Sequence, residues 1–557
     1  MTGWTKRQVA LAIAWVLLWA VVPYLGKLHN GFLLWDDKRF IHEAEPIHSL
    51  GNLPQFFRMG QDGLYRPLRM ALYAVSYDTL GFGTRPLGYE IVGLLLQAAC
   101  ALFFFLLLRA LKCPDVAALA AATVFAAHPI HVERVAGITA SYDLLGDALL
   151  LWALFLYFRR RDARTYWLWV PVLLASVLSS EMGAVFLPLV ICLEAVRARN
   201  WRELFARPRL APLLAAVALV AGYLAVRALV LGHVDRGFPR PAEGFLDNLL
   251  TVSTFHAHYL KLFLLPWQTN YFHRAPVVTA NSLTGWLCFG ALLTLLLAAL
   301  VWFRRRPWAT IGIAWFFVML LPFSQILPNY PAFQERYAYL PLGGFAIFLG
   351  LLADYLWRRL RRRGRVVAIL VGACYLAILF QQTSAYTNAF ADDLTLWTRT
   401  AARDPLQAGA WNNVGIGWME KGDYAAAIPN FLTAMKLDAK FQIPVRNLAL
   451  CYRQLDRKSE AYEAILRYLE MNPADVGAAD LYYRLTVELG NAADAIAELA
   501  AQRKNPAFPD RLLLTLAVAH LSVAHYAEAA EILKDYTARH PADEAAQALL
   551  RQALQFH

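Results

Sequence analysis

The stretch from residue 88 to residue 108 reads GYEIVGLLLQAACALFFFLLL, and it decides the fold more clearly than any other segment. Its 21 residues contain one charged side chain, Glu90, close to the beginning. About 20 apolar residues in an α-helix cross a hydrocarbon core of roughly 30 Å. The stretch therefore predicts a membrane-spanning helix rather than a helix of a soluble core.

Apolar runs of the same kind lie on both sides of this stretch, and together they predict about eleven crossings. The first follows Lys6 and Arg7, as a signal peptide would, but no small-residue cleavage site follows it, which favours a retained anchor. The predicted crossings lie near residues 8–25, 88–110, 114–128, 141–158, 166–179, 183–198, 210–232, 284–303, 308–327, 338–357 and 366–383.

The composition also indicates a protein solvated largely by lipid. The chain has 557 residues, of which 59% are hydrophobic and 17% charged, and its mean hydropathy of +0.40 exceeds that of ordinary soluble enzymes. Its net charge of +12 accompanies arginine blocks beside apolar runs, at 159–161, 304–306 and 358–365. Such blocks indicate cytoplasmic loops rather than a nucleic-acid surface. The six cysteines show no paired spacing, so we predict neither a disulfide framework nor a metal knuckle.

The arginine blocks also predict an orientation. A cytoplasmic amino terminus places these blocks inside, and an odd number of crossings then sends the carboxyl terminus outside. Three stretches are left on the outer face, at 26–87, 129–140 and 233–283. The last contains an apolar segment with His256, His258 and Lys261. A full crossing there would invert everything downstream, so we favour an interfacial or re-entrant helix.

A repeat with a 34-residue period begins near residue 408. One phase carries the small residues Ala427, Ala461, Ala495 and Ala529, and a second carries Gly415, Ala449, Tyr483 and Ala517. The pattern resembles the tetratricopeptide family, with WNNVGIGWMEKGDYAAAIPNFLTAMKLD at 411–438 as its cleanest unit; a plain helical bundle would not keep one period. The predicted fold is thus all-α, with a transmembrane domain at 1–387 and a soluble repeat solenoid of about four units at 388–557, whose concave groove would bind a partner protein.

Ionisable residues recur where the outer ends of the crossings should converge, which makes them candidates for function. Asp36 and Asp37 stand about ten residues beyond the first crossing, where a partly desolvated carboxylate could act as a general base or a metal ligand; a helix cap or a solvated turn is the plainer interpretation. The others are Arg66, His128, His131, Glu133, Arg134, Glu181, Glu335 and Arg336. Each also has a purely structural interpretation. The two histidines could form a hydrogen-bonded pair, and the charged residues could neutralise one another or cap helices.

The order of these motifs resembles a known family along nearly the whole chain. WDD at 35–37, YRPL at 65–68, HPIHVERVAGI at 128–138, SSE-x5-LP at 179–188 and ERYAYLP at 335–341 precede the repeats. This arrangement is similar to the transmembrane and tetratricopeptide repeat-containing O-mannosyltransferases and their bacterial relatives. The resemblance implies a GT-C class glycosyltransferase that uses a polyprenyl-phosphate sugar on the outer face of the membrane. Ser180 replaces an expected lysine, and Ser141-Tyr142 an expected basic residue, which leaves the sugar and the acceptor open.

This chemistry needs a base just outside the bilayer and positive charge for the leaving phosphate. Asp36, or Asp37 if the loop turns the other way, would take the proton of an acceptor hydroxyl during an inverting displacement. Arg336 and Arg66 are the first choices for the donor phosphate because a guanidinium matches phosphate oxygens, and Arg134 and Lys261 are the second. The substrate pocket would be shaped by His128, His131, Glu133, Glu181 and Glu335.

The predicted partners are the lipid-linked donor, a protein acceptor bound by the repeats and the bilayer, with no nucleic acid. No cofactor is established, and a divalent metal stays open. A membrane-anchored scaffold, a carrier of lipid-linked saccharide, and a transferase acting on a lipid or glycan acceptor are the alternatives. The composition favours a bacterial inner membrane with periplasmic repeats, with the endoplasmic reticulum membrane as the eukaryotic equivalent.

Overall fold

The computed structural model describes most of the chain as helices and turns. The described residues are 4–34, 36–60, 63–159, 166–198, 203, 207–232, 238–274, 277–303, 305–326, 328–503 and 508–556. No β-strand occurs within these ranges. Arg160, Arg161 and Arg304 of the predicted cytoplasmic blocks and Trp35 of the WDD motif lie outside them.

The chain divides into two compact units, Met1–Leu396 and Trp397–His557. The helix Asp393–Arg403 contains the boundary. The α-helices of the first unit that lie in the described ranges are Lys6–Val21, Leu53–Phe56, Pro67–Ala74, Pro86–Ala110, Asp115–Ala127, Val132–Ala136, Ile138–Tyr142, Leu144–Arg159, Trp169–Ser179, Phe186–Arg197, Arg207–Leu231, Phe245–Leu264, Leu283–Trp302, Pro307–Leu320, Leu342–Arg359 and Arg362–Asn388.

Six segments among the described residues are long and apolar enough to cross a membrane. A seventh would be the pair Asp115–Ala127 and Pro129–Ala136, which are bent by 48° against each other. The eleven crossings expected from the apolar runs are therefore not confirmed. The six segments are Lys6–His29, Pro86–Ala110, Ile138–Arg159, Leu210–Leu231, Leu283–Trp302 and Arg362–Ala391.

The difference arises because several predicted crossings form only short helices. Trp169–Ser179 has 11 residues and Phe186–Arg197 has 12, which at about 1.5 Å per residue is well short of a membrane core. Between them, Ser180 ends the first helix and its hydroxyl accepts a hydrogen bond from the backbone nitrogen of Met182. Leu342–Arg359 is longer, but it carries Asp354 and ends in two arginines.

Small residues allow helices of the first unit to pack closely. The helix Leu342–Arg359 lies against Asp115–Ala127. A methyl group at Gly350 would stand 2.3 Å from the backbone oxygen of Ala117 and 3.0 Å from the side chain of Ala121. Glycine at this position is therefore required for the approach of the two helices, as is common between helices in membranes.

The predicted outer stretches contain further helices rather than open loops. The stretch 26–87 includes Leu53–Phe56 and Pro67–Ala74, together with the π-helical turns Lys38–His42 and Val75–Thr79. Within 233–283, Phe245–Leu264 forms a helix of 20 residues that is not among the segments apolar enough to span a membrane. The side of the membrane on which these stretches lie stays a prediction.

The chain turns repeatedly between Asp115–Ala127 and Leu144–Arg159. His128 caps the 3-10 turn Pro129–His131, and the short helices Val132–Ala136 and Ile138–Tyr142 follow. Most residues of this connection are buried. It therefore holds its polar side chains at defined positions in the interior of the first unit.

The second unit consists of helical hairpins. The turn inside each hairpin contains one residue in the left-handed conformation, and these residues recur every 34 positions: Gly422 (φ +77°), Asp456 (φ +57°), Gly490 (φ +91°) and Ala524 (φ +61°). The repeat period predicted from the sequence is thus confirmed in the backbone. The helices are Ala408–Glu420, Tyr424–Leu437, Ile443–Gln454, Lys458–Met471, Val476–Glu488, Ala492–Gln502, Asp510–Ser522, Tyr526–Arg539 and Glu544–Gln555.

The small residues of the repeat lie where the helices of a hairpin meet. Ala427 and Ala529 are fully buried, and a methyl group at Gly415 would stand 2.6 Å from the ring of Phe431. Tyr483 occupies a position of this kind in the third unit and is nevertheless buried. Its hydroxyl accepts a hydrogen bond of 2.7 Å from Gln502, so the ring is accommodated with its polar end satisfied.

Candidate functional site

The adjacent carboxylates Asp36 and Asp37 lie in different environments. Asp37 is 3% exposed. One of its oxygens accepts a hydrogen bond of 3.0 Å from the backbone nitrogen of Leu33, and the other accepts from both the backbone nitrogen, at 2.8 Å, and the hydroxyl of Thr139. Burial raises the pKa of Asp37 above its usual value, while these hydrogen bonds act in the opposite direction. Asp37 therefore ties the first predicted outer stretch to Ile138–Tyr142.

Asp36 is accessible and stands next to a guanidinium. Its side chain is 56% exposed, and its Oδ2 lies 3.6 Å from Nη1 of Arg336. This distance is that of an ion pair without a direct hydrogen bond. An exposed carboxylate with an oxygen not consumed by internal contacts can accept a proton from a bound molecule.

Glu133 contacts both the backbone and the side chain of Arg336. The backbone nitrogen of Arg336 donates a hydrogen bond of 2.9 Å to one oxygen of Glu133, and Nε lies 3.6 Å from the other. Burial acts to lower the pKa of Arg336, but the carboxylates of Glu133 and Asp36 raise it above its ordinary value. The guanidinium is therefore charged, and its side chain is 23% exposed.

Glu335 precedes Arg336 in the chain and is fully buried. Its Oε1 accepts a hydrogen bond of 2.6 Å from the backbone nitrogen of Asn270 and lies 2.6 Å from Nε2 of His273. The carboxylate thus joins the segment after Phe245–Leu264 to the ERYAYLP motif. Its contacts position Arg336, its neighbour in the chain.

The two histidines of HPIHVERV bond to backbone groups. In His128, Nδ1 accepts from the nitrogen of Ile130 at 3.2 Å, and Nε2 donates to the oxygen of Phe263 at 3.2 Å. His131 Nε2 donates to the oxygen of Tyr339 at 3.0 Å, and its ring packs 4.1 Å from the ring of Tyr339. Both side chains are buried, and they fix the turn that carries Glu133.

A second cluster surrounds Asp143, which sequence reasoning missed. Three guanidinium groups contact this carboxylate: Arg66 at 2.8 Å, Arg69 at 2.7 Å and Arg134 at 3.0 Å. Arg66 also lies 2.6 Å from Glu181, and Arg134 lies 3.0 Å from Asp147. The three guanidinium groups are balanced by three carboxylates, those of Asp143, Asp147 and Glu181. The structure thus brings together three residues singled out from the sequence, Arg66, Arg134 and Glu181, as parts of one ion-pair network.

Three residues of this network, Arg69, Asp143 and Asp147, were not among the sequence candidates, although the sequence pattern around each gives a weak indication. Arg69 follows Arg66 at a spacing of three within RPLR, which places both on one side of Pro67–Ala74. Asp143 and Asp147 fall inside a run interpreted as a crossing, 141–158. Two acidic residues four positions apart at the end of an apolar helix are the pattern that could have identified them.

Lys261 lies apart from both clusters, at a cavity of about 280 Å³. Its ammonium group has no carboxylate within ion-pair distance among the residues that the structure describes. His273 also lines the cavity, and it contacts Glu335, the neighbour of Arg336. The remaining walls come from Thr254, Phe255, Ala257, His258, Arg274, Val278, Thr284, Cys288 and Phe333. The cavity thus combines the positive charge of Lys261 with largely apolar walls, and such a site suits an amphipathic anion.

Ligand atoms for a metal do not converge at this site in the described part of the chain. The one group of three histidine, cysteine or carboxylate side chains found there with such geometry, His520, His525 and Glu528, belongs to the repeat unit.

Comparison with known proteins gives named relatives. Residues 88–324 match a family model described as a domain of unknown function, DUF6311. Protein O-mannosyl-transferase F38B6.6 of Caenorhabditis elegans is 24% identical over 76% of this chain and 62% of its own length. Protein O-mannosyl-transferase TMTC4 of Homo sapiens is 26% identical over 65% of this chain and 56% of its own length. The chain thus spans about 60% of the length of these relatives.

Two solved structures are similar at lower identity. An oligosaccharyltransferase of Archaeoglobus fulgidus, tethered with an acceptor peptide, is 15% identical, covers 76% of this chain and 59% of its own, and gives a TM-score of 0.39. A tetratricopeptide repeat protein of Parabacteroides merdae is 14% identical, covers 48% of this chain and 99% of its own, and gives a TM-score of 0.24. The resemblance stated from the motifs is confirmed by the sequence relatives: the chain is similar, over most of its length, to proteins named protein O-mannosyl-transferases.

Proposed function

We propose that this protein is an integral-membrane glycosyltransferase that moves a sugar from a polyprenyl-phosphate donor to a hydroxyl group of a protein. The observation that carries the proposal is the pair of Asp36, an exposed carboxylate, and Arg336, a charged guanidinium 3.6 Å away. The similarity to proteins named O-mannosyl-transferases supports mannose as the first sugar to test.

In the proposed reaction the acceptor oxygen attacks the anomeric carbon of the donor. The bond between that carbon and the phosphate oxygen breaks, and the configuration inverts. Asp36 takes the hydroxyl proton, and polyprenyl phosphate leaves as an anion that needs no acid because its pKa is low. Positioned general bases contribute about 10²–10⁴-fold to such rates.

The environment of each carboxylate favours Asp36 over Asp37 as this base. Both oxygens of Asp37 are engaged by Leu33 and Thr139, so a proton from the acceptor would displace existing hydrogen bonds. Asp37 is then a positioning residue that holds its neighbour at the surface. Asp36 has one long ion pair and remains open to an acceptor.

We assign Lys261, at its separate cavity, to the first binding of the donor phosphate, and Arg336 to that phosphate during transfer. Arg336 lies beside the base, and the cavity at Lys261 provides a cation with apolar walls next to helix Leu283–Trp302, a candidate span. Arg66 and Arg134 already bind carboxylates, so we assign them, with Glu181, to holding the outer stretch in place. His128, His131, Glu133 and Glu335 act behind this surface by fixing Arg336 and its turn.

The acceptor is proposed to be a protein presented to the membrane domain, residues 1–387, by the repeats at 388–557. The expected location is a bacterial inner membrane with the repeats in the periplasm. The whole proposal is tested in vesicles that contain the purified chain, labelled polyprenyl-phosphate mannose and either a Ser/Thr-rich protein or a lipid glycan. Label transferred to protein supports it, label on the lipid glycan alone would assign the other acceptor class, and no transfer to either would reject it.

A further inference from the structure

The last full hairpin of the repeat unit brings three metal-ligating side chains together. His520 lies in the last turn of Asp510–Ser522, His525 directly precedes Tyr526–Arg539, and Glu528 lies in the first turn of that second helix. One ligand atom from each side chain lies within 4.8 Å of the others. We propose that these three residues bind a divalent transition metal ion, with Zn²⁺ as the best-suited ion.

The distance between the two imidazoles fits this ion. Nδ1 of His520 and Nδ1 of His525 are 3.4 Å apart. A tetrahedral Zn²⁺ with bonds of about 2.0–2.1 Å to nitrogen places two such ligands about 3.3–3.4 Å apart. The two rings are thus already spaced as one edge of the tetrahedron, and the Glu528 carboxylate, within 4.8 Å of the other ligand atoms, would close in as the third ligand. Two histidines and a glutamate are a known ligand set for Zn²⁺ that leaves the fourth position to water.

The neighbouring repeats show that the fold itself does not require these residues. Positions equivalent to His520 at the 34-residue spacing carry Trp418, Tyr452 and Thr486. Positions equivalent to His525 carry Asp423, Arg457 and Asn491, and those equivalent to Glu528 carry Ala426, Glu460 and Asp494. Asp423 caps its helix by accepting from the nitrogen of Ala426, whereas the side chain of His525 makes no such bond. The fourth unit therefore combines three ligands that no other unit combines.

A metal ion bound here would crosslink the two helices of the hairpin on either side of their turn. The ligands come from both helices, and residue 524 between them adopts the left-handed conformation. An ion bound only to the folded hairpin stabilises it in proportion to its concentration relative to its dissociation constant. This inference does not rest on sugar transfer, and its failure would leave the proposed activity untouched.

The experiment is calorimetric titration of Zn²⁺ into the full-length chain, purified in detergent with a tag that contains no histidine and stripped of metal. We expect one strong site per chain, no comparable binding of Mg²⁺, and a higher midpoint of thermal unfolding with Zn²⁺. The His525→Asn and His520→Thr variants use residues that the third repeat carries at Asn491 and Thr486. Each should weaken Zn²⁺ binding at least tenfold and abolish the thermal shift.

His540→Gln is the matched control, since His540 lies in the same hairpin but contacts Asp510, and it should bind Zn²⁺ like the wild type. Glu528→Gln keeps the shape of the side chain and serves if a histidine variant misfolds; it should also weaken binding. Absence of a strong site in the wild-type chain, or equal affinity in wild type, His525→Asn and Glu528→Gln, would overturn the proposal.

Discussion

The Oδ2 atom of Asp36 lies 3.6 Å from Nη1 of Arg336, although the two residues come from opposite ends of the first unit. The contact depends on two buried carboxylates. Asp37 holds the neighbouring residue against Thr139, and Glu133 holds the backbone nitrogen of Arg336. An exposed carboxylate and a charged guanidinium are thereby held together on fixed supports, which is the arrangement that the proposed transfer requires.

The first prediction concerns the base. Asp36→Asn should reduce transfer of labelled sugar about 10²–10⁴-fold because the amide cannot accept the hydroxyl proton. Since the side chain of Asp36 is largely exposed, the Asp36→Asn protein should insert into the membrane and unfold thermally like the wild type. Glu43→Gln, which changes another exposed carboxylate of the same stretch, is the control and should retain activity. Normal transfer by Asp36→Asn would remove Asp36 from the mechanism.

The second prediction concerns the pH dependence of stability at Asp37. Burial raises its pKa above the usual 3.8, so the folded protein binds this proton more tightly than the unfolded chain does. Its contribution to the free energy of unfolding is then greatest at low pH and falls as pH rises from the unfolded pKa through the folded one.

The stability difference between wild type and Asp37→Asn should accordingly shrink as pH is raised, as measured by thermal unfolding in detergent at a series of pH values. A difference that grows with pH would mean that the hydrogen bonds from Leu33 and Thr139 outweigh burial.

The third prediction concerns the donor. Lys261→Ala should raise KM for the polyprenyl-phosphate sugar about tenfold or more and change kcat little, since the loss of one charge-assisted contact to phosphate is worth about 1.5–3 kcal/mol. Lys38→Ala, which removes an exposed lysine whose ion pair spans 3.8 Å, provides the comparison. Steady-state rates at varied donor concentration separate the two parameters, and an unchanged KM would exclude the cavity as the donor site.

The fourth prediction concerns the network around Asp143. Asp143→Asn leaves Arg66, Arg69 and Arg134 without their shared carboxylate, and breaking such a buried group costs about 3–5 kcal/mol. Asp115→Asn removes a more exposed partner of Arg109, at 3.2 Å, and should cost about 1 kcal/mol or less. Thermal unfolding of both variants tests this; equal losses would show that the network contributes little.

The fifth prediction uses the left-handed turns. Gly422→Ala forces a side chain into a conformation with φ +77° and should destabilise the repeat unit by about 1–2 kcal/mol. Gly409→Ala, inside a helix and with open space around its added methyl group, should stabilise it by about 0.4–1 kcal/mol. Chemical denaturation followed by circular dichroism would measure both, and the same sign for the two changes would contradict the assigned backbone conformations.

Local patterns were sufficient for the architecture. The apolar length of Pro86–Ala110 and the 34-residue spacing of the repeats are properties of consecutive residues, and the left-handed residues at 422, 456, 490 and 524 follow the predicted period. The count of crossings could not be obtained this way. The predicted crossings at 166–179 and 183–198 form helices of only 11 and 12 residues, and the apolar character of a run does not say at which residues its helix begins and ends.

By itself, then, the sequence determined an all-α protein with apolar spans and a repeat unit, and it placed Asp36, Asp37, Glu133 and Arg336 among the candidates. Tertiary structure alone separated Asp36 from Asp37 and gathered Arg66, Arg69 and Arg134 around Asp143. The physical reason is that burial and ion pairing arise from contacts between distant segments. Asp37 and Thr139 are 102 residues apart, and no pattern within one stretch of chain records which of two adjacent carboxylates will face the interior.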